Sequence, residues 1–384
     1  MDQCYNKYRK NPPIHYIVFA TPHKKEIPSP KRQPPPAAFL LCIIFRLFLE
    51  SLQKSDYNRE YTKEGLRERG SIMDEIKRIK DNIAKVIVGK DAVVDLLLTA
   101  IVAKGHVLLE DVPGTGKTLL AKTLAKSIDG SFARIQFTPD LLPSDITGIN
   151  YYRQKEGEFR FQKGPVFSNI VLADEINRAT PRTQAGLLEA MEERQVSVEG
   201  VTYLLEAPFL VIATQNPLET LGTFPLPEAQ MDRFLMKLSM GLPGKEEEIQ
   251  MMERFLNEEP LKNIGSVATK EDIIALQKES REIFIHPVLM EYMAELVQAS
   301  RKHRDVVCGV SPRGTMALLN AARAYAIVKE RAYVVPEDIK AVAVPVLAHR
   351  IQTAGSNFKA DYAVTVIEEL LKSTPLPTED WKGR

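Results

Sequence analysis

A glycine-rich loop joins two apolar segments in "VLLEDVPGTGKTLLAKTLAK", Val107 to Lys126. It follows the phosphate-binding pattern G-x-x-x-x-G-K-[ST] except at the first position, where Asp111 stands in place of glycine. In such a loop the backbone N–H groups surround phosphates, the lysine reaches the β- and γ-phosphates, and the hydroxyl binds Mg²⁺. We therefore predict that Lys117 and Thr118 bind a nucleotide together with Mg²⁺.

The rest of the predicted binding loop surrounds this pair. Because the first position only ends the preceding strand, the Asp111 carboxylate can point away from the phosphates if the backbone there needs no positive φ. A tight glycine turn without a ligand is the alternative, but it does not explain a Gly-Lys-Thr triplet at a helix start. The predicted nucleotide-binding residues are Val112, Pro113, Gly114, Thr115, Gly116, Lys117, Thr118 and Leu119.

A second candidate site element is the acidic pair in "NIVLADEINRA". Four apolar residues precede Asp174 and Glu175, which predicts a buried parallel strand with two acids at its carboxyl end, where ligand sites of α/β folds lie. We predict that Asp174 serves the Mg²⁺ shell and that Glu175 orients and polarises the attacking water. A strand that merely ends in a polar loop is the alternative.

The elements that must position these residues are strands and helices in alternation. "GHVLLE" (105–110) predicts a buried strand, and "KTLLAKTLAKSID" predicts a helix with Gly130 as its C-terminal stop. A third strand, "FLVIATQNP" (209–217), ends in Thr214, Gln215 and Asn216. We select Asn216 as the amide that contacts the water or the γ-phosphate; a structural cap is the alternative.

Composition excludes several other classes of protein. The 384 residues include 44% hydrophobic and 26% charged residues, as in a typical globular chain. The net charge of +1 produces no overall field that favours nucleic acid or an anionic membrane. Three scattered cysteines indicate a reducing cytosol rather than a disulfide framework or a zinc site. The histidines lack ligand spacing, so we expect no metal other than Mg²⁺ with the nucleotide.

The beginning of the chain differs from the remainder. Residues 1–36 are rich in proline and basic residues, which is typical of disordered or extended chain. The apolar stretch 37–49 is shorter than the ~20 residues of a spanning helix and contains Arg46. We interpret residues 1–72 as a disordered or non-native extension, with the natural start at or near Met73. A helical anchor on a membrane surface is the alternative for 37–49.

These segments together resemble the MoxR family of AAA+ ATPases. The resemblance covers about residues 73–350. The acid at Asp111, which departs from the general phosphate-loop pattern, is similar to the pattern of this family. The matching stretches are "LLEDVPGTGKTLLAKTLA", "IQFTPDLLPSDITG", "GPVFSNIVLADEINRATPRTQAGLLEAMEERQVSVEG", "FLVIATQNPLETLGTFPLPEAQMDRF" and "GVSPRGTMALLNAARAYA".

The resemblance implies an α/β fold with a P-loop AAA+ core, a parallel five-stranded sheet at 73–243, followed by a small all-α lid domain at 244–384. It implies that Arg233 is an arginine finger acting on a neighbouring subunit's ATP and that Arg313 is the lid's sensor arginine. From the residues alone, each could be an ordinary surface salt-bridge arginine. Nucleotide between subunits requires a homo-oligomer, expected as a hexameric ring, with Arg178 as a further interface candidate.

Two further segments are predicted to be hairpins, "NYYRQKEGEFRFQKG" (150–164) and "RQVSVEGVTYLLEAP" (194–208), each turning at a Glu-Gly pair. In related AAA+ rings, hairpins at these places face the central channel and contact the client. A packing role alone is the alternative.

The leading functional interpretation is a cytoplasmic, Mg²⁺-dependent, chaperone-like ATPase that remodels or activates a partner protein. By resemblance, the partner is often one with a von Willebrand factor A domain. The alternatives are a slow nucleotide-gated binding switch, the ATPase subunit of a metal chelatase, and a helicase-like AAA+ protein. The near-neutral charge and the absence of a Lys/Arg cluster in either hairpin argue against a nucleic-acid partner.

Overall fold

The predicted strand–helix alternation is present in the folded chain. The computed structural model describes residues 63–216, 222–256, 259–354 and 362–376. The strands, in chain order, are β1 (Val107–Glu110), β2 (Phe132–Gln136), β3 (Gly148–Arg153), β4 (Glu158–Lys163), β5 (Ile170–Asp174), β6 (Gln195–Val198), β7 (Val201–Leu204), β8 (Leu210–Gln215), β9 (Met236–Leu238), β10 (Val306–Cys308) and β11 (Gln352–Thr353).

The helices connect and cover these strands. They are α1 (Lys63–Ala84), α2 (Asp91–Val102), α3 (Lys117–Ser127), α4 (Pro143–Thr147), α5 (Pro181–Glu193), α6 (Glu228–Met231), α7 (Lys245–Phe255), α8 (Lys270–Glu279), α9 (Pro287–Lys302), α10 (Pro312–Val328), α11 (Pro336–Leu347) and α12 (Tyr362–Ser373).

One five-stranded sheet has the order β2-β5-β8-β1-β9, and every neighbouring pair in it is parallel. Alternate residues of the three central strands, β5, β8 and β1, enter two different apolar clusters. Leu109 belongs to the cluster that also contains α1, α2 and α3 residues, whereas Leu108 belongs to the cluster that contains α5 residues. Burial on both faces explains why β5, β8 and β1 are apolar almost to their carboxyl ends. The predicted fold class, with its parallel five-stranded sheet, is confirmed.

The residues after β9 are mainly helical, as predicted for a lid. Helix α10 packs against α11 and against α2, so the lid helices share the larger apolar cluster with the sheet. A short antiparallel pair, β10 with β11, accompanies the helices. The division at residues 243 and 244 stays a prediction.

Two antiparallel hairpins extend from the sheet connections, as predicted. β3 pairs with β4, and β6 pairs with β7 through a turn at Glu199 and Gly200. Both turn residues have positive φ, 49° and 82°, which is the backbone of a type I′ turn. The hairpins contact each other, because the rings of Phe161 and Tyr203 stack with centroids 4.2 Å apart.

The end of helix α3 differs slightly from the prediction. Helix α3 ends at Ser127, and Asp129 rather than Gly130 takes the left-handed conformation, with φ 50°. The Gly130 N–H then donates to the Ala125 carbonyl at 2.9 Å, which satisfies that carbonyl at the helix end.

The predictions for residues 37–49 and for most of residues 1–72 lie outside the described residues. The first described helix, α1, begins at Lys63.

Candidate active site

A cavity of about 460 Å³ lies at the carboxyl ends of β1, β2, β5 and β8. It brings together most of the residues predicted from three separate stretches of sequence. Of these predicted residues, the cavity is lined by Pro113, Gly114, Thr115, Gly116, Lys117, Thr118, Leu119, Asp174, Glu175 and Asn216. Val112 lies in the same loop without lining the cavity, and neither Arg233 nor Arg313 lines it.

Two glycines determine the backbone of the phosphate loop. Gly114 and Gly116 have φ of 88° and 89°, in the left-handed region that glycine adopts without steric cost. Gly116 is the N-cap of α3, so the loop opens directly into a helix N-terminus, which favours anions. The Lys117 ammonium donates to the carbonyls of Asp111 (3.0 Å) and Val112 (3.4 Å). The lysine therefore lies folded over its own loop.

The Asp111 side chain points to the segment after β9 rather than to the loop's anion cradle. Its carboxylate accepts hydrogen bonds from the Ser239 hydroxyl (2.7 Å) and from the N–H groups of Met240 (2.7 Å) and Gly241 (3.1 Å). Asp111 is buried, and it is not among the residues with positive φ. The carboxylate thus turns away from the loop, as expected, although Asp111 also lines the cavity. That the loop binds a nucleotide with an acid at this position stays a prediction.

The Asp174 carboxylate, at the end of β5, is held from two sides. The Thr214 hydroxyl, on the neighbouring strand β8, donates to Oδ1 at 2.6 Å. The Arg134 guanidinium, on β2 at the other side, donates to Oδ2 through Nη2 at 2.6 Å and Nε at 3.1 Å. The strand order β2-β5-β8 places these two partners on opposite sides of Asp174.

Glu175 is also engaged. Its N–H donates to the Thr214 hydroxyl at 2.9 Å, and its carboxylate Oε2 accepts from Gln136 Nε2 at 2.7 Å and pairs with Arg178 Nε at 3.1 Å. Glu175 has φ 59°, a left-handed conformation that is uncommon for a non-glycine residue. Such backbone strain is often found at functional sites.

Sequence reasoning missed Arg134 and Gln136 as site residues and chose Asn216 over Thr214. Asn216 is buried and lines the cavity, so its predicted position is compatible with its predicted role. Thr214, almost fully buried, instead connects both acids. Arg134 and Gln136 alternate at the end of β2 and therefore share one face. That two-residue spacing was the signal that could have identified them.

The two predicted arginines lie together at a different place. The Arg313 guanidinium pairs with Glu192, and Arg233 Nε is 4.0 Å from the same Glu192 oxygen, Oε2. Arg313 Nε is also 3.8 Å from Asp232, whose other oxygen accepts from the almost fully buried Arg350 at 2.7 Å. The last helical residues of α5 and the start of α10 thus meet next to Arg233.

The donor atoms at the cavity suit a hard cation. Among the described residues, no group of three or more His, Cys, Asp and Glu side chains could hold a metal by itself. Thr118 and Asp174 nevertheless line one cavity, and Mg²⁺ is usually bound by one or two protein oxygens together with nucleotide phosphates.

A search of the described residues for a membrane-spanning helix finds no helix with the length and apolar character that it would need.

Comparison with known proteins shows the family. The AAA family description, "ATPase family associated with various cellular activities", matches residues 106–236, and an AAA lid domain matches 298–370. Chaperone MoxR1 of Mycobacterium tuberculosis is 41% identical over 79% of this chain and 82% of its own length. The chain belongs to the MoxR family of AAA+ ATPases.

Other relatives agree with this assignment to the MoxR family. Protein MoxR of Methylorubrum extorquens is 33% identical over 79% of this chain and 96% of its own length. The uncharacterized protein YeaC of Bacillus subtilis is 49% identical over 78% of this chain and 94% of its own. A crystal structure from Cytophaga hutchinsonii superposes with a TM-score of 0.77 at 41% identity, covering 82% of this chain and 99% of that one. The predicted family is confirmed.

Proposed function

We propose that this MoxR-family chain hydrolyses ATP to ADP and phosphate, with Mg²⁺, in the cavity at the carboxyl ends of the strands. The observation that carries the proposal is the convergence of Lys117, Thr118, Asp174, Glu175 and Asn216 on one cavity that opens at a helix N-terminus. Phosphoryl transfer requires backbone N–H groups around the phosphates, a positive charge on them, and acids that serve the metal and the attacking water. The loop, Lys117 and the pair Asp174 and Glu175 provide these groups.

Each residue has a defined task in this proposal. The loop N–H groups and Lys117 bind the phosphates, and Lys117 must leave the carbonyls of Asp111 and Val112 to do so. Thr118 and Asp174 would hold Mg²⁺, which neutralises charge on the phosphates when bound. Glu175 orients and polarises the attacking water.

We further propose that Arg233 and Arg313 both act on the nucleotide of a neighbouring subunit. Their shared contact with Glu192, away from the chain's own cavity, supports this arrangement. Phosphates of a neighbour would then replace Glu192 as the acceptor for these guanidinium groups. An arginine supplied in this way can raise turnover roughly 10³–10⁵-fold.

The decisive test is ATP turnover per subunit across a hundredfold range of protein concentration. Turnover should rise with concentration, and both K117A and R233A should be inactive alone. Mixing the two variants should restore part of the activity, because K117A supplies the arginine and R233A supplies an intact cavity. R304A is the matched control, since Arg304 is 90% exposed and pairs only with the adjacent Asp305 among its described ion pairs. No recovery on mixing would contradict sharing of sites.

We propose a cytoplasmic homo-oligomer, expected as a hexameric ring, that uses turnover to remodel or activate a partner protein. One relative is named a chaperone, and exposed Tyr152 and Phe159 at the end of the β3–β4 hairpin provide an apolar contact surface. A von Willebrand factor A domain protein encoded nearby is the first partner to test. E175Q should bind such a partner in the presence of ATP and fail to activate it.

A nucleotide-gated binding switch is the second candidate function. It is favoured by one observation, namely that both acids have partners within the chain, Arg134 for Asp174 and Gln136 for Glu175. Under this candidate, E175Q retains activation of the partner, so the same variant separates the two functions.

A further inference from the structure

Arg134 belongs to a continuous chain of side-chain contacts across the cavity wall. Its guanidinium donates to Asp174 and, through Nη2, to Gln136 Oε1 at 2.8 Å, and Gln136 in turn donates to Glu175. A basic and an amide side chain from the edge strand β2 thus contact the two acids at the cavity.

The two partners of the Asp174 carboxylate, Thr214 and Arg134, differ in how easily each can move away from it. Thr214 is 1% exposed, and its hydroxyl also fixes the Glu175 backbone, so it cannot move without disturbing both acids. The Arg134 side chain is 49% exposed and long, at the edge of the sheet. Both of its contacts with Asp174 fall on Oδ2, while the Thr214 hydroxyl contacts Oδ1.

We propose that Arg134 is an internal counter-ion for Asp174, which Mg²⁺ displaces when it arrives with the nucleotide. The proposal rests on the proposed function, because it assumes that Asp174 serves the metal. Arg134 is a positioning residue in this scheme: it neutralises Asp174 while the cavity lacks a cation. Its departure also releases Gln136, whose amide orientation is set by donation from Arg134, and thereby loosens the contact with Glu175.

The competition has a predictable size. A partly exposed ion pair contributes only modestly, so the metal must overcome a penalty of about two- to fivefold in affinity. The affected quantity is the Mg²⁺ concentration that gives half of the metal-dependent gain in nucleotide affinity. Binding of the non-hydrolysable analogue AMP-PNP, followed by calorimetry over a MgCl₂ series and in EDTA, measures it without turnover.

R134Q should lower the Mg²⁺ midpoint about two- to fivefold, and R134K should lie between R134Q and the unmodified chain. R304Q, at an exposed arginine outside the cavity, should leave the midpoint unchanged. An unchanged or higher midpoint in R134Q would overturn the proposal. So would weaker AMP-PNP binding in EDTA without a midpoint shift, because Arg134 would then serve the phosphates.

Failure of the proposed function has a different signature. If the unmodified chain bound AMP-PNP equally with and without Mg²⁺, the metal role of Asp174 itself would be wrong. If the unmodified chain shows a clear midpoint and R134Q does not lower it, only the Arg134 proposal is wrong.

Discussion

Replacing Asp111 by alanine removes the carboxylate that ties the phosphate loop to the segment after β9. Three hydrogen bonds are lost, from Ser239, Met240 and Gly241, and the buried Met240 N–H is left without its partner. Hydrogen bonds to a charged acceptor contribute about 1.5–3 kcal/mol each and are not additive. We therefore expect D111A to lose about 3–4 kcal/mol of unfolding free energy, measured by urea denaturation.

Ser239 provides the graded control for this prediction. S239A removes one of the three donors and leaves both backbone contacts of Asp111, so a loss of about 1.5 kcal/mol is expected. If S239A and D111A were both as stable as the unmodified chain, the proposed tie between the loop and this segment would be wrong.

The charge of Asp111 supplies a second, independent measurement. If the carboxylate faced the phosphates at about 6 Å, repulsion at an effective dielectric constant of ~20 would amount to about 3 kcal/mol. D111N would then bind ATP about a hundredfold more tightly. Because the carboxylate turns away, we expect D111N to change ATP affinity less than about threefold. A large gain in affinity, measured by calorimetry, would refute the reasoning.

Two further predictions concern buried polar groups. T214V should reduce kcat about 10- to 100-fold with little change in KM for ATP, because the Thr214 hydroxyl orients both the Asp174 carboxylate and the Glu175 backbone. T214S, which keeps the hydroxyl, should recover most of the lost kcat. T99V removes a buried hydroxyl elsewhere and should leave kcat unchanged. Burial lowers the pKa of His106 to about 3, far below its unfolded value near 6.5, so its neutral form stabilises the fold above pH 6.5 and that stability is lost as the pH falls. When the pH falls from 6.5 to 5, the unfolding free energy measured by urea titration should drop by about 2 kcal/mol less in H106N than in the unmodified chain. An equal drop in both proteins would contradict the role of neutral His106.

The parts of the site that the sequence predicted are those defined within one local segment. The phosphate loop carries its own signal, since glycines, lysine and threonine lie side by side between a strand and a helix. The acids Asp174 and Glu175 directly follow an apolar run, which shows them to be at a strand end. In both cases the local pattern determines the chemistry, and the parallel sheet brings the strand ends together.

The partners of these groups depend on strand order, which no local pattern contains. Arg134 meets Asp174 only because β2 and β5 are neighbours, with Gln136 paired to Asp174 in the register. Likewise, Asp111 meets Ser239 because β1 and β9 are adjacent at the other side of the sheet. Side chains separated by 40 and 128 positions in the chain thus become direct contacts through the order of five strands.

The location of Arg313 likewise could not be predicted from a local pattern, because it depends on how the lid helices pack. Resemblance assigned a role to Arg313, but its location depends on where α10 packs, and α10 packs against α2 and α11. This packing places Arg313 beside Glu192 and Arg233. A sensor arginine that reached its own nucleotide would have to break the Glu192 pair and move with the helix whose buried face holds the lid to the sheet. Contact with a neighbouring subunit's nucleotide would also replace the Glu192 pair, but it would leave α10 packed against α2 and α11. The packing of α10 therefore supports the proposed sharing of sites.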